Sequence, residues 1–419
     1  MRIIISEHSM RLKYKKPNKH RIFAIGGLII SALICFLNFT PSMRNVRSLP
    51  SAIFAENIDG LNLALNGIPN SMRQSVAAAG SDDETLSEKE LNIKLFGLIT
   101  LRSIPVYVGE RKCVIPCGDA IGISIHTKGL LVVGNGSFTD AGGKRHSPSS
   151  DAGIRAGDRI ISVNGIEVNT SEEMQRVIDG STGGVGLTVE RNGKVLSFNI
   201  VPVNADDGRL KIGAWVRDST IGIGTLSFID SATGKTAALG HAVVDSDTGE
   251  IITVLNGSMC RAKLIGIKKG RNGDPGELQG SFDDKCELIS DITGNGELGI
   301  FGTVRSEYLN SLQNNALTVA FPNEVRLGPA VILTSLDNSG VKEYSCEIIK
   351  LYKQSYAEQK GIIIQITDES LLSAAGGIVQ GMSGSPILQD GMLVGVVTHV
   401  FVNDPTRGYG VYAYWMTDD

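Results

Sequence analysis

The sequence predicts a mainly β protein of two modules behind an N-terminal apolar helix. Three observations carry that prediction. Of the 419 residues 50 are Gly, about 12%, and these punctuate short runs rich in Val and Ile, the pattern of brief strands and tight turns. Such runs recur at Leu210–Val216, Ile221–Ile229, Ala237–Val244, Ile251–Leu255, Leu298–Val304, Ala330–Leu333, Gly361–Ile366 and Gly391–Phe401. Helical periodicity is scarce beyond the first 40 residues, and spaced short strands without it suggest a sandwich or barrel.

The formal charge of −4 averages two unlike parts. Residues 1–21 hold Arg2, Arg11, Lys13, Lys15, Lys16, Lys19 and Arg21 against a single acid, Glu7. Of the chain's 40 basic and 44 acidic residues this leaves 33 and 43 after residue 40, a net of −10, which argues against a nucleic-acid partner. An apolar run over residues 22–39, broken only by Ser31 and Asn38, follows the basic tail. Its length suits a membrane-spanning signal anchor better than a cleaved signal peptide, and both readings stay open. Positive-inside logic leaves the tail cytoplasmic and exports everything after it.

Residues 40–102 read as a stalk, broken by Pro41, Pro50 and Pro69, with a loop over residues 80–84. Cys35 lies in the apolar run, leaving Cys113, Cys117, Cys260, Cys286 and Cys346 outside it. Cys113-x3-Cys117 admits a disulfide or half a metal site. No second Cys/His pair sits at zinc spacing, so plain buried or free thiols are expected, with no metal and no cofactor.

Residues 103–203 form the next module. Ile121-Gly122-Ile123-Ser124-Ile125 is a Gly among alternating apolar residues, and Gly129–Val133 is a strand. Ala156-Gly157-Asp158 is a turn entering a strand, Asn164-Gly165 signals a type I′ hairpin, and Thr170 or Ser171 is an N-cap for the helix that follows. The segment resembles a PDZ domain of the kind attached to bacterial envelope proteases. The resemblance implies a peptide groove with Ile121, Gly122, Ile123, Ser124 and Ile125 as the strand that presents its edge to a C-terminal peptide.

Residues 204–419 have the size of a double-barrel serine protease. Gly381-Met382-Ser383-Gly384-Ser385-Pro386 resembles the Gly-Asp-Ser-Gly-Gly-Pro signature of chymotrypsin-like proteases. Small residues let the backbone turn tightly around a serine, and the N–H groups of Gly381 and Ser383 can converge on an oxyanion. Ser383 needs a base. Of six His, His8 and His20 are cytoplasmic and His126 and His146 belong to the PDZ-like segment. His241 and His399 remain, and His241, at a strand edge after small residues, is the better placed. For the orienting carboxylate the candidates are Asp245, Asp247, Asp368 and Asp404. The first two and the last read as turn residues, whereas Asp368 follows the strand Ile362–Ile366. No His-Glu-x-x-His motif suggests a metallopeptidase.

Together these pieces resemble the stage IV sporulation protein B peptidase family of spore-forming Firmicutes. The segments that carry the match are residues 212–218, 222–228, 238–249, 376–386 and 398–410. The resemblance implies a serine endopeptidase with Ser383 as nucleophile, His241 as base and Asp368 as acid. It implies export from the forespore into the space between the forespore membranes. The implied substrate is a regulatory membrane protein that restrains an intramembrane metalloprotease, whose release leads to processing of a late mother-cell sigma factor. Self-cleavage, self-association and restraint by an inhibitor protein are further implications. Two departures from chymotrypsin-like enzymes stand out: Met382 replaces the Asp before the serine, and Asp368 lies only 15 residues before Ser383. The alternative is a non-catalytic, membrane-anchored PDZ adaptor.

Overall fold

The computed structural model describes residues 27, 28, 31, 40–56, 65, 68–76, 87–95, 97–283, 285–312 and 315–417. Most of the apolar run 22–39 lies outside them. Among the described residues no helix is long and apolar enough to cross a membrane. The chain divides after Gly109 into two compact units.

The smaller unit corrects the expectation of a stalk. Thr40 caps the helix Pro41–Ser48 with Pro41 at its first turn, where a missing N–H costs nothing. Strand Ile53–Ala55 runs parallel to Ile99–Val108, which pairs with Ser87–Leu95, and that with Arg73–Val76. Val46, Leu49, Ile53, Leu91, Ile93 and Ile104 form its buried core. The Arg102 guanidinium donates to the carbonyls of Val46, Leu49 and Pro50, closing the helix's C-terminal end. Of the prolines read as breakers, Pro41 opens the helix and Pro50 and Pro69 fall between elements, so they punctuate a fold rather than an open tether.

The larger unit holds two closed six-stranded barrels. Pairing in the first runs from the long strand Ala120–Asn135 to Val254–Arg261, Leu288–Gly296, Gly299–Val304, Lys235–Ala238 and Ala214–Ile229, then back to Ala120–Asn135. Ile121, Ile125, Leu226, Met259, Ile289 and Ile300 are almost wholly buried inside it, each contributing about 1.5–3 kcal/mol of burial. The second barrel is Gly328–Thr334, Lys342–Leu351, Ile362–Ile366, Asp404–Tyr412, Met392–Phe401 and Pro386–Gln389. The double barrel expected from strand spacing is present, but it begins earlier in the chain than residue 204. The start of Ala120–Asn135 belongs to it, and strand Cys113–Pro116 pairs with the end of its strand Ala214–Ile229.

The PDZ-like module is therefore an insertion. The far half of Ala120–Asn135 pairs with Arg159–Val163, which pairs with Val185–Arg191, and that with Lys194–Ile200. Its predicted local signals are all realised. Asn164 and Gly165 both take positive φ, 51° and 78°, in the hairpin turn. Thr170 accepts from the Glu173 N–H in a full capping box that starts the helix Ser171–Asp179. Asp158, 1% exposed, accepts the Arg155 N–H and a two-pronged Arg191 guanidinium at 2.6 and 2.7 Å. Ala214–Ile229 returns beside the same long strand, with Ala214–Arg217 against the module's half and Ser219–Thr225 against the barrel's half.

The cysteines depart from expectation in one respect. Cys260 and Cys286 form a disulfide, while Cys113, Cys117 and Cys346 are free. The two partners are 26 residues apart, so sequence proximity gives no hint of them. Cys113 and Cys117 do not pair, and among the described residues no three His, Cys, Asp or Glu cluster as metal ligands.

Candidate active site

Ser383 and His241 face one cavity of about 990 Å³ lined from both barrels. His241 follows the strand Lys235–Ala238. Leu239 and Gly240 both adopt φ of +70°, which reverses the chain and turns the imidazole inward. Leu239 is a branched residue held in the left-handed region, a strain that persists only where the surroundings enforce it.

The His241 Nδ1 donates to the carbonyl of Ala242 at 2.9 Å. A carbonyl can only accept, so Nδ1 carries the proton and Nε2 keeps its lone pair. Burial lowers the His241 pKa from its ordinary value, and the Ala242 bond partly opposes this. The second imidazole, His399, stands with its ring centroid 4.9 Å from that of His241. It is pushed down to about 4 by burial, then by His241 and by Lys360. Both rings are thus neutral near pH 7.

The serine loop is held from across the cleft. Thr225, on the first barrel, donates its N–H to the Ser383 carbonyl at 3.0 Å and its hydroxyl to the Gly381 carbonyl at 2.7 Å. Gly384 donates to Val397 at 2.8 Å and Ser385 to Met382 at 3.0 Å. Met382 is fully buried and its sulfur accepts from the Val379 N–H. Its side chain occupies by packing the position where the Gly-Asp-Ser-Gly-Gly-Pro signature has an aspartate. The N–H groups of Gly381 and Ser383 donate to no acceptor among the described residues. Ser383 Oγ donates to the Thr398 carbonyl at 2.6 Å rather than to His241.

Asp368 is not brought to this cleft. It is the N-cap of the helix Glu369–Ala375, accepting from the N–H groups of Ser370 and Leu371 at 2.9 and 3.0 Å and from the Ser370 hydroxyl at 2.5 Å. The Ser370 hydroxyl is the main cause of its lowered pKa. A carboxylate so engaged lies outside the cavity lining and makes no hydrogen bond to His241, whose Nδ1 bonds the Ala242 carbonyl instead. Asp245 and Asp247 pair with Arg217, and Asp404 with Arg407. Glu297 and Glu358 line the cavity, yet the imidazole's hydrogen bond goes to a backbone carbonyl. Asp368→Asn, which preserves a capping side chain, is expected to keep kcat within about threefold, while Asp368→Ala loses about 1 kcal/mol of stability; paired kinetics and thermal melting check both.

The proposed groove strand also needs correction. Ile121–Ile125 is bonded on one edge to residues 220–224 and on the other to 257–261, so neither edge is open to a peptide. Gly122 is required by the Phe282 ring, which a Cβ would approach to 2.2 Å. The strand beside the module's Leu131–Asn135 is Ala214–Arg217. The helix Ser171–Asp179 is tied to this region where the Ser171 N–H and hydroxyl both reach Asp218 at 3.0 Å.

Two residues that sequence reading passed over matter here. Thr225 is an ordinary strand residue by pattern. Asn295 lies in Gly294-Asn295-Gly296, which signals only a hairpin turn, yet its side chain bonds Val243 and Ile252 on the His241 loop.

Comparison with known proteins agrees with this architecture. A PDZ domain model matches residues 126–201, the inserted module. Two Brucella proteins named "Putative zinc metalloprotease", one from Brucella suis biovar 1 (strain 1330) and one from Brucella melitensis biotype 1, are each 35% identical over 118 residues. That stretch is 27% of this chain and 30% of each relative, so the chain spans under a third of the length of these relatives. The model of the SpoIVB peptidase S55 matches residues 208–417, half of the chain and the part that carries His241 and Ser383. The chain belongs to the SpoIVB peptidase S55 family, a family of serine peptidases.

Proposed function

We propose that the chain is an endopeptidase in which Ser383 is the nucleophile and His241 the general base. One observation carries this reading: Ser383, two unengaged N–H groups beside it and a neutral imidazole with a free Nε2 share a cleft between two barrels. Oγ swings from the Thr398 carbonyl to Nε2, gives up its proton and attacks the scissile carbonyl. The Gly381 and Ser383 N–H groups receive the oxyanion. The imidazolium, held by the Ala242 carbonyl, then protonates the leaving amine, and water releases the acyl-enzyme.

The resemblance to the family supports, as substrate, a regulatory membrane protein cut during sporulation, whose loss frees an intramembrane metalloprotease to process a late mother-cell sigma factor. Self-cleavage and restraint by an inhibitor protein belong to the same reading. The basic tail and apolar run support anchoring, with the catalytic unit between the forespore membranes. The Cys260–Cys286 disulfide supports an oxidising, exported setting. A peptide strand can add beside the helix Ser171–Asp179 along Ala214–Arg217, which pairs only with Leu131–Asn135 among the described residues.

Mass spectrometry of the fragments that the purified full chain makes of itself, with Ser383→Ala alongside, tests the proposal. Defined fragments and fluorophosphonate labelling are expected in the wild type and absent in the variant. Cleavage by Ser383→Ala at the wild-type rate overturns it.

A further inference from the structure

His241 is oriented by a backbone carbonyl, and a carbonyl is only as well placed as its peptide plane. That plane is the Ala242–Val243 peptide group. Its C=O accepts from His241 Nδ1 at 2.9 Å, and its N–H donates to Asn295 Oδ1 at 2.8 Å. The Asn295 Nδ2 donates to the Val243 carbonyl at 2.8 Å and to the Ile252 carbonyl at 2.9 Å. The amide orientation is fixed by its partners, since an N–H can only donate and a carbonyl can only accept. Ile252 N–H also donates to the Val243 carbonyl at 3.2 Å. Asn295 thus closes the neck of the loop over residues 243–252 from the strand Leu288–Gly296, a fixed stave of the first barrel.

We propose that Asn295 is a positioning residue for the general base: it fixes the Ala242–Val243 peptide group, whose carbonyl holds the His241 imidazole in its Nδ1–H form. The chain of contacts is continuous, from Oδ1 through one amide to Nδ1. Hydrogen bonds in such a series polarise one another. The Val243 N–H, drawn by Asn295, makes the Ala242 oxygen a stronger acceptor at the moment His241 becomes cationic. This inference rests on His241 being the base.

The other groups facing His241 are His399 on the strand Met392–Phe401 and Ser383, with Glu297, Glu358 and Lys360 around the cavity. None of them bonds Nδ1.

The sign of the effect follows. The Ala242 bond raises the His241 pKa. Loosening the carbonyl in Asn295→Ala lets that pKa fall, so the acid limb of kcat/KM moves to lower pH. Asn295→Asp keeps an acceptor for Val243 and adds a negative charge, which moves the limb to higher pH. Asn295→Ala is expected to lose roughly 10- to 100-fold in kcat with KM within about threefold, the scale on which outer supporting partners act.

A readout free of turnover separates this from the nucleophile assignment. In the full chain carrying Ser383→Ala, nitrogen NMR of the His241 ring is titrated with and without Asn295→Ala and Asn295→Asp. Opposite shifts in the two variants support the proposal. An unmoved His241 titration in both overturns it, as does a kcat loss that merely follows the folded fraction. Should Ser383→Ala still cleave, the nucleophile reading fails and the ring titration still decides the role of Asn295.

Discussion

Replacing His241 by alanine lowers kcat by roughly 10⁴-fold or more, with little change in KM. The imidazole is the basic group that shares a cavity with Ser383 and keeps Nε2 free, and the neutral ring of His399 has its centroid 4.9 Å away. His399 is not expected to substitute: burial, the first cause of its lowered pKa, remains when His241 is removed and keeps it a weak base. In the wild type the acid limb of kcat/KM reports the free enzyme's base. Because burial lowers the His241 pKa, activity is retained to a lower pH than an ordinary histidine allows and is lost as His241 protonates. A limb at or above the usual histidine range contradicts this environment. Steady-state kinetics from pH 4 to 8, with His241→Ala alongside, is the measurement.

Gly384→Ala is expected to have the largest structural effect at the site. Gly384 has φ of +105°, and a Cβ there would stand 1.9 Å from the Thr225 carbonyl oxygen and 2.8 Å from the Leu239 nitrogen. Both contacts are backbone, so no side chain can swing away. The first barrel and the serine loop must separate at the point where Thr225 holds Ser383 and Leu239 leads to His241. The positive φ alone costs about 1–3 kcal/mol, and the clash adds to it. Loss of fluorophosphonate labelling together with a Tm drop of several degrees, by about 2–4 °C for each kcal/mol, is the expected outcome. Normal labelling at an unchanged Tm contradicts the close approach.

Local chemistry was the legible part of this sequence. The Asn164-Gly165 turn, the Thr170 cap and the tight serine loop each depend on a few neighbouring residues, and all appear where residue type placed them. What the sequence hid was partnership across distance. Alternation at Ile121–Ile125 correctly signals a strand with Ile121 and Ile125 fully buried, but alternation does not say which strands lie on either side. A PDZ resemblance covering residues 103–203 drew the strand into the wrong module. Asp368 shows a competition between two local readings. A carboxylate after the apolar strand Ile362–Ile366 can point into a cleft, but followed by Glu369-Ser370-Leu371-Leu372 it is also a helix cap. The cap prevails because two N–H groups and a hydroxyl lie within reach without any chain movement. Asn295 stayed hidden because a side chain 54 residues from His241 has no sequence signature for bonding its neighbour's peptide.

The inserted module sets an order of assembly. Ala120–Ile125 needs residues 220–225 on one edge and 257–261 on the other. At synthesis rates of about 5–20 residues per second, the second partner follows the strand by roughly 7 to 28 seconds. The hairpins between Arg159 and Ile200 can close within that interval while the Ile121, Ile123 and Ile125 strand still has two bare edges. An unpaired apolar strand is the hazard from which edge-to-edge aggregation starts. Residues 204–419 expressed alone would lack that strand, which forms one side of the first barrel. Since His126 and Ser219 are register partners, a short turn joining them would instead keep every stave of the barrel. It would also bring its earliest strand within immediate reach of its first partner.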